Sequence, residues 1–388
     1  MKLRLDKLGV VVALLAVYAA FFAPLMIFRP NRIVPGQGKS LWESLPPSTS
    51  ISFVVVISVA ILITLFKTPL YLRLSAAAAV LAGLAISVGS AASFLTPDGN
   101  TYARVSPASG AWLLMLAFAL LAADAIARLR PTPVVRIALL AVSLAGIAVV
   151  LSSGLWDGLS IIREYAGRAD VFWQEAGKHV TLAIGSLIAA VVVGLPLGVL
   201  AHRVTSLRSG ILNTLNFVQT IPSIALFGIL IAPLGWIAIN VPGAAAIGIR
   251  GIGAAPAFVA LFLYSLLPVV ANTVVGLEGV PREANEAARG VGMTGRQRLF
   301  GIELPLAMPV ILTGIRIVLV QNIGLATIAA LIGGGGFGVF VFQGVGQTAM
   351  DLVLLGAVPT VVLAFTAATV LDALVELNAP VGTRGKAA

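Results

Sequence analysis

The stretch EAARGVGMTGRQRLFGIELP, residues 286–305, decides the fold of this 388-residue chain. Two apolar runs flank it, residues 254–275 and 306–332, and a helix of about 20 apolar residues crosses a bilayer core about 30 Å thick. The stretch itself is too polar to span a membrane and too long for a tight turn. Its Glu and Ala residues at the start and Pro305 at the far end predict a short surface helix before the next span.

The composition agrees with a membrane location. Hydrophobic residues make up 59% of the chain and charged residues 10%, whereas an ordinary soluble domain has roughly 45–50% and about 25%. The absence of cysteine excludes a disulfide framework, a cysteine zinc site and a thiol nucleophile. Only two histidines are present, so we expect no metal site, no catalytic residue and no cofactor bound by this chain.

Ten apolar runs have about the length of a transmembrane helix. They are residues 9–28, 51–66, 74–95, 110–127, 137–155, 180–201, 211–236, 254–275, 306–332 and 352–374. The second run is short, and Pro222 interrupts the seventh. The predicted fold class is therefore all-α, an integral membrane protein with about ten transmembrane helices.

The basic residues predict the orientation of these helices. The chain has a net charge of +10, and its lysines and arginines lie in short clusters between the apolar runs. This distribution is typical of topology signals and not of nucleic-acid binding. With the first run as an uncleaved anchor and the N-terminus in the cytoplasm, 16 lysines and arginines fall inside and 8 outside. The outer eight are Arg29, Arg32, Lys39, Arg104, Arg163, Arg168, Lys178 and Arg250. This bias predicts a multi-pass protein of the plasma (inner) membrane with both termini cytoplasmic.

A polar segment separates the first five runs from the last five. Residues 156–178 carry several charges between Trp156 and Lys178, and they predict an external linker that could include an interfacial helix anchored by Trp156 and Trp173. The predicted domains are an N-terminal membrane region (1–155), the linker (156–178) and a C-terminal core (179–388). The two halves show no convincing repeat, so an inverted-repeat transporter gains no support.

The acidic residues lie in loops or near predicted helix ends. A proton-driven carrier would need a carboxylate at mid-membrane, so this pattern disfavours such a carrier. Uncharged polar residues within the seventh and ninth runs either bond neighbouring helices or line a translocation path. The candidates for the path are Gln219, Ser223, Gln321 and Asn322. Arg316 is interpreted as a structural anchor that snorkels or pairs with Glu303 or Glu278.

The glycine-rich stretch GGGGFG, residues 333–338, allows two interpretations. It is either a flexible external loop, since glycine runs are permissive backbone, or an extracellular gate in which Phe337 acts as a plug. Sequence patterning does not choose between them.

The stretch at 286–305 resembles the EAA motif of ABC importer permeases, which reads E-A-A, three residues, G, nine residues, I, any residue, L-P. All seven fixed positions match, with Glu286, Ala287, Ala288, Gly292, Ile302, Leu304 and Pro305. The resemblance implies a cytoplasmic coupling loop within residues 280–305 that docks on an ATPase. The small Ala287 and Ala288 permit close approach, and Gly292 permits a turn. No G-x-x-x-x-G-K-[ST] pattern is present, so ATP-Mg is expected on a partner ATPase and this chain is not itself an enzyme.

Further stretches resemble permeases that import glycine betaine, choline and related osmoprotectants. They are HVTLAIGSLIAAVVVGLPLGVLAHR (179–203), NFVQTIPSIALFGIL (216–230), ALFLYSLLPVVANT (260–273) and the 333–338 stretch. The five additional N-terminal helices are similar to those of Yeh-type permeases. Ala271 is a departure, since family members often carry Arg before the Asn-Thr pair, and any shared role of that Arg is in doubt.

The resemblance implies a type I (MetI-like) permease core that works by alternating access. Its expected partners are cytoplasmic ATPase subunits, an external substrate-binding protein, a second permease subunit (identical or different) and membrane lipid. The expected cargo is glycine betaine or a related quaternary ammonium solute, selected mostly by the binding protein through cation–π contacts. Two alternatives stay open: a permease for another small solute such as methionine or phosphonate, and a membrane scaffold without transport activity.

Overall fold

The computed structural model describes residues 5–31, 34–97, 99–100 and 102–378. Five of the basic residues that predict the orientation, Lys2, Arg4, Arg32, Arg384 and Lys386, lie outside the described residues, as do both chain ends. The described chain forms two compact units, of which the first ends at Gly167 and the second begins at Arg168.

The N-terminal unit is a helical bundle with a small antiparallel sheet. Its helices are α1 (Lys7–Phe21), α2 (Leu41–Ser44), α3 (Pro47–Leu65), α4 (Leu70–Leu95), α5 (Ser109–Leu129), α6 (Pro133–Ser152) and α7 (Ser160–Ala166). Its strands are β1 (Met26–Arg29), β2 (Gln37–Lys39) and β3 (Arg104–Pro107), in the order β2-β1-β3. Alanines of α1 and α5 and larger side chains such as Phe118 form the buried core, because small residues let transmembrane helices approach closely.

Local sequence explains where these helices begin. Asp6 caps α1 by accepting a hydrogen bond from the Gly9 N–H at 3.0 Å. Prolines stand in the first turn of α3 and α6, at Pro47 and Pro133, where a missing N–H has no intrahelical partner to lose. Among the residues of α6, only Leu140 is buried, so this helix presents almost its whole circumference to lipid or to a partner.

The described part of the C-terminal unit, up to residue 378, is built from helices. They are α8 (Ala169–Arg203), α9 (Thr205–Thr220), α10 (Ser223–Ile229), α11 (Ile231–Asn240), α12 (Ala254–Glu278), α13 (Arg282–Gly290), α14 (Gly295–Arg298), α15 (Leu304–Ala326), α16 (Gly338–Gly346) and α17 (Met350–Asn378). A π-helical turn (Leu299–Glu303) joins α14 to α15, and a 3-10 turn (Ile328–Ile332) follows α15. Helix α12 lies at the centre and packs against α8 and α15, while α15 also packs against α17.

The helical membrane fold is confirmed. Within the described residues, nine helical stretches are long and apolar enough to cross a membrane, and α1 is apolar but has only 15 residues. Each of the ten predicted runs overlaps one of these ten stretches. Strands β2 and β3 and helices α2, α7, α13, α14 and α16 lie in the connections between the runs, whereas β1 forms from the end of the first run.

Four element bounds differ from the sequence prediction. The first run, residues 9–28, is helical only as far as Phe21, and its end belongs to β1. The seventh run is three helices, because Ile221 is extended before Pro222, as residues preceding proline tend to be. Helix α8 begins at Ala169, so the last ten residues of the predicted linker, 169–178, are helical and continuous with the span. The end of the ninth run is the 3-10 turn rather than α-helix.

Candidate functional site

The E-A-A segment, which we define as residues 286–305, begins in α13 and turns sharply after it. The Met293 N–H donates to the Ala288 carbonyl at 3.0 Å, and the Gly292 N–H donates to the Arg289 carbonyl at 2.9 Å. This pair of bonds is a Schellman motif, whose turn residue adopts a left-handed conformation. Gly292 is that residue, with φ of +82°. The motif glycine therefore ends α13 and redirects the chain.

A second helix follows at once. The Thr294 hydroxyl accepts from the Gln297 N–H at 3.3 Å, and the Gln297 side chain accepts from the Thr294 N–H at 2.8 Å. This reciprocal capping box starts α14. The chain then enters α15 through the π-helical turn, in which the Leu304 N–H bonds to the Leu299 carbonyl. Pro305 has no N–H to continue the ordinary pattern, and π turns of this kind often mark functional positions.

The seven motif residues divide into an outer and an inner set. Glu286, Ala287 and Gly292 are exposed, so they are available to a docking partner. Ala288, which also lies on α13, is buried, with 5% exposure. Leu304 packs into the cluster formed by Leu277, Val280, Ala307 and Ile311 where α12 and α15 meet. Ile302 is half-buried and Pro305 is exposed in the turn that leads into the span.

Glu303 connects this segment to the rest of the bundle. Its side chain is 4% exposed and forms ion pairs with Arg298 of α14, at 3.2 Å, and with Arg203 at the end of α8. Nearby, Arg208 of α9 pairs with Glu278 of α12, with one N–O contact of 3.1 Å. Ion pairs therefore join the E-A-A segment to the end of α8, and they join α9 to the end of α12.

These pairs correct the prediction for Arg316. Glu303 and Glu278 have other partners, and Arg316 on α15 pairs instead with Asp372 on α17. Both side chains are about two-fifths exposed, at 38% and 41%. The pair joins two adjacent helices, which agrees with a structural anchor.

The candidate path residues have different environments. Gln219 donates to the Tyr264 carbonyl at 2.8 Å, while the Tyr264 hydroxyl donates to the Ile221 carbonyl. This exchange secures the break between α9 and α10, with Ser223 half-buried in the first turn of α10. Among the described residues, neither Ser223 nor the half-buried Gln321 has a side-chain hydrogen-bond partner, which leaves both available to a solute or to water.

Asn322 is placed differently from its neighbour. It is fully buried, and its amide donates to the hydroxyls of Ser186 and Ser265, each at 2.9 Å. The Asn322 carbonyl accepts from the Ser265 hydroxyl at 3.1 Å. The network joins α8, α12 and α15, so this environment favours the interhelical packing role for Asn322 over a path-lining one.

The glycine-rich loop is held by α8. The Gly336 N–H donates to Glu175 at 2.6 Å, and the Phe337 N–H donates to Nδ1 of His179 at 3.3 Å. Gly335 and Gly336 have positive φ, and a Cβ on Gly335 would lie 2.6 Å from the Glu175 carboxylate. The glycines therefore permit a specific backbone path close to α8. The Phe337 ring is 5% exposed and lies 4.9 Å from the ring of His179.

Comparison with known proteins identifies the family. The profile "ABC transporter permease YehY, N-terminal domain" matches residues 6–162, and "Binding-protein-dependent transport system inner membrane component" matches residues 190–380. The osmoprotectant import permease protein OsmW of Salmonella typhimurium is 42% identical over 205 residues, which cover 53% of this chain and 89% of OsmW. The chain belongs to the permease subunits of ABC importers. It is a multi-pass inner-membrane component and not itself an ATPase.

A second relative agrees with this assignment. The glycine betaine/carnitine/choline transport system permease protein OpuCB of Bacillus subtilis is 35% identical over 211 residues, covering 54% of this permease and 90% of OpuCB. An inward-facing structure of the MetNI methionine ABC transporter aligns with 54% of the permease and 97% of its own chain, at 21% identity and a TM-score of 0.48. An ABC permease works in a complex with ATPase subunits, so the permease has such partners.

Three residues of the permease have environments that the sequence did not predict. Glu303 occupies the variable position of the I-x-L-P pattern, and its carboxylate is buried. The available signal in the sequence was a charged residue just before the proline at the start of a span. Val291 and Phe300 are 80% and 68% exposed on an otherwise polar segment. Exposed apolar side chains in a polar loop are a signal for a protein contact, and these two were visible in the sequence.

The described residues of the permease contain no cluster of three or more His, Cys, Asp or Glu side chains placed to hold a metal.

Proposed function

We propose that this permease imports glycine betaine or a related quaternary ammonium osmoprotectant. The observation that supports this substrate most directly is the 42% identity to OsmW, whose name states osmoprotectant import. Relatives named for choline and carnitine transport, at 37% and 34% identity, belong to the same solute class. The methionine transporter resembles this chain at a level too low to bear on its substrate.

The proposed complex contains two ATPase subunits, an external binding protein and a second permease, which is either identical or different. Both termini of the permease lie in the cytoplasm, on the same side as the E-A-A segment. The exposed Ala287 and Gly292 admit a close partner, and Val291 and Phe300 supply apolar contacts. When the ATPases close on ATP, they pull the E-A-A segment, and Glu303 passes the displacement to α8 through Arg203.

The proposed translocation path runs along α9, α10 and α15, past Gln219, Ser223 and Gln321. Methyl groups mask the charge of a quaternary ammonium ion, so uncharged polar groups suffice to line its path. The free hydrogen-bonding groups of Gln321 and Ser223 support this position. Phe337 is proposed as the external gate, because the bonds from Glu175 and His179 hold its backbone and because its ring is nearly buried.

Uptake assays test the substrate. Cells without other osmoprotectant importers, expressing the complete transporter, should accumulate radiolabelled glycine betaine, and excess choline or carnitine should compete while methionine and phosphonate should not. Methionine or phosphonate uptake without glycine betaine uptake would contradict the proposed substrate. No uptake of any solute, together with no ATPase recovered with the tagged permease, would favour the scaffold alternative for this chain.

Adjacent residues on α15 test the path. Gln321→Leu should lower uptake while expression, thermal stability and ATPase recovery stay normal, because Gln321 has no hydrogen-bond partner to lose among the described residues. Asn322→Leu is the matched control, since it leaves Ser186 and Ser265 unsatisfied and should lower stability. Normal uptake by Gln321→Leu would place the path elsewhere.

A further inference from the structure

A cavity of about 430 Å³ opens in the N-terminal unit where four helix ends meet. Helices α1 and α4 begin there, at Lys7 and Leu70, while α3 and α5 end nearby, at Leu65 and Leu129. The lining residues are Leu5, Asp6, Lys7, Leu8, Lys67, Thr68, Leu70, Arg73 and Arg128. Helices α3, α4 and α5 are long and apolar enough to cross a membrane, so we expect a cavity at their ends to lie at the level of the lipid headgroups.

Positive charge exceeds negative charge in this lining. It contains the cations Lys7, Lys67, Arg73 and Arg128 and only one carboxylate, Asp6. Burial raises the pKa of Asp6, but the hydrogen bond from the Gly9 N–H and the adjacent Arg73 guanidinium outweigh burial and hold that pKa below its usual value. Asp6 is therefore ionised at neutral pH and offsets one of the four cations.

Arg73 is built into the wall of the cavity. It is 2% exposed, and its Nη2 contacts Asp6 at 3.3 Å and donates to the Phe66 carbonyl at 2.9 Å. Its Nη1 has no hydrogen-bond acceptor among the described residues. Its guanidinium therefore places a positive charge in the wall of the cavity, and a charged donor of this kind binds anionic groups strongly.

The lysines at the rim also lack partners. Lys7 and Lys67 are exposed and have no ion pair among the described residues, whereas Arg128 pairs with Asp124 at 2.9 Å. The cavity also has an apolar side, formed by Leu5, Leu8 and Leu70. Cations beside leucines at a helix end suit a molecule with an anionic head and an apolar body.

We propose that this cavity binds the phosphate-bearing headgroup of an anionic phospholipid. Lys7 and Lys67 contact the phosphate from the rim, Arg73 supplies charge from the wall, and the leucines contact the start of the acyl chains. Basic pockets between transmembrane helices recognise lipid headgroups in this way. A free phosphate ion would use the cations alone, and the leucines favour the lipid.

The test uses the purified complete transporter in nanodiscs of phosphatidylcholine with or without phosphatidylglycerol, and native mass spectrometry counts the phosphatidylglycerol that stays bound. The double variant Lys7→Gln/Lys67→Gln should bind phosphatidylglycerol about 30-fold more weakly, which corresponds to about 1 kcal/mol for each lysine near the membrane surface. The control, Lys39→Gln/Arg250→Gln, removes two basic side chains outside the cavity and should bind as the wild type does.

A separate arm adds inorganic phosphate to the phosphatidylcholine discs, with thermal stability as the readout in every arm. Phosphatidylglycerol should raise the melting temperature of the wild type and the control, but not that of the double variant. An equal rise with inorganic phosphate would show an anion site without lipid specificity and would overturn the proposal. Unchanged phosphatidylglycerol binding by the double variant, or equal loss in the control, would also overturn it.

Discussion

Substitution of Gly292 separates the backbone role of the motif glycine from its role at the partner surface. A Cβ at this position would meet no atom within 4 Å, so this chain has room for a side chain. The obstacle is the backbone, because φ of +82° is left-handed and costs most L-residues about 1–2 kcal/mol. Gly292→Ala should therefore shift the turn equilibrium against the Schellman conformation by about 5- to 30-fold.

Asparagine and aspartate extend the comparison. Both tolerate the left-handed conformation better than alanine does and have nearly the same size, so the difference between Gly292→Asn and Gly292→Asp reports charge alone. If Gly292 enters the groove of an ATPase, Asp carries a carboxylate that must lose its water without a partner, at about 1–3 kcal/mol or more. We expect Gly292→Asp to abolish uptake, Gly292→Ala to reduce it, and Gly292→Asn to fall closest to the wild type.

Uptake, recovery of ATPase subunits with the purified permease, and stimulation of ATP turnover by the loaded binding protein are the measurements for this series. Solute binding by the isolated binding protein is the control, and it should not change. Wild-type uptake by both Gly292→Ala and Gly292→Asp would show that neither the turn nor the docking surface matters for transport.

Three further predictions follow from the same structure. Single cysteines at Gly167 and Gln347 should react from outside with an impermeant thiol reagent, and a cysteine at Ser206 should not; labelling of Ser206 from outside would invalidate the orientation. Glu303→Gln should lower stability by about 3 kcal/mol, because Arg298 and Arg203 lose their carboxylate, and a melting temperature equal to the wild type would count against the buried pair. Phe300→Ala should leave the melting temperature of the permease unchanged, because the ring is 68% exposed, but weaken ATPase recovery about 10-fold; full recovery would exclude Phe300 from the contact.

Hydrophobic length predicted the spans well because a bilayer imposes a minimum apolar length on each helix. The bounds were harder to predict where polar residues continue a helix beyond the membrane. Residues 169–178 are charged, and their helix is visible only because α8 continues through them. Conversely, Pro222 marks an interruption of the seventh run, but two distant bonds stabilise the break. Gln219 donates to the Tyr264 carbonyl, 45 positions away, and the Tyr264 hydroxyl donates to the Ile221 carbonyl, 43 positions away. Such pairings are not accessible to local patterns.

The candidate site shows the same limit. The E-A-A spacing was readable because its residues are close in sequence, and the Schellman turn at Gly292 follows from local rules. The partners of Glu303 and Arg316 depend on which helices are adjacent, so sequence reasoning assigned Arg316 the wrong carboxylates. Gln321 and Asn322 look alike in sequence, and only packing shows that one is free and the other is enclosed among three helices.

The E-A-A segment is proposed to transmit ATPase motion to the membrane. Its most direct measurement is ATP turnover by purified transporter in proteoliposomes, with and without the loaded binding protein, for Ala287→Trp and the small control Ala287→Ser. Because Ala287 is exposed on α13, the tryptophan leaves the permease folded but obstructs a close docking partner. Ala287→Ser should retain stimulation by the binding protein, whereas Ala287→Trp should lose both stimulation and uptake. Wild-type stimulation and uptake in Ala287→Trp would exclude this role for the E-A-A segment.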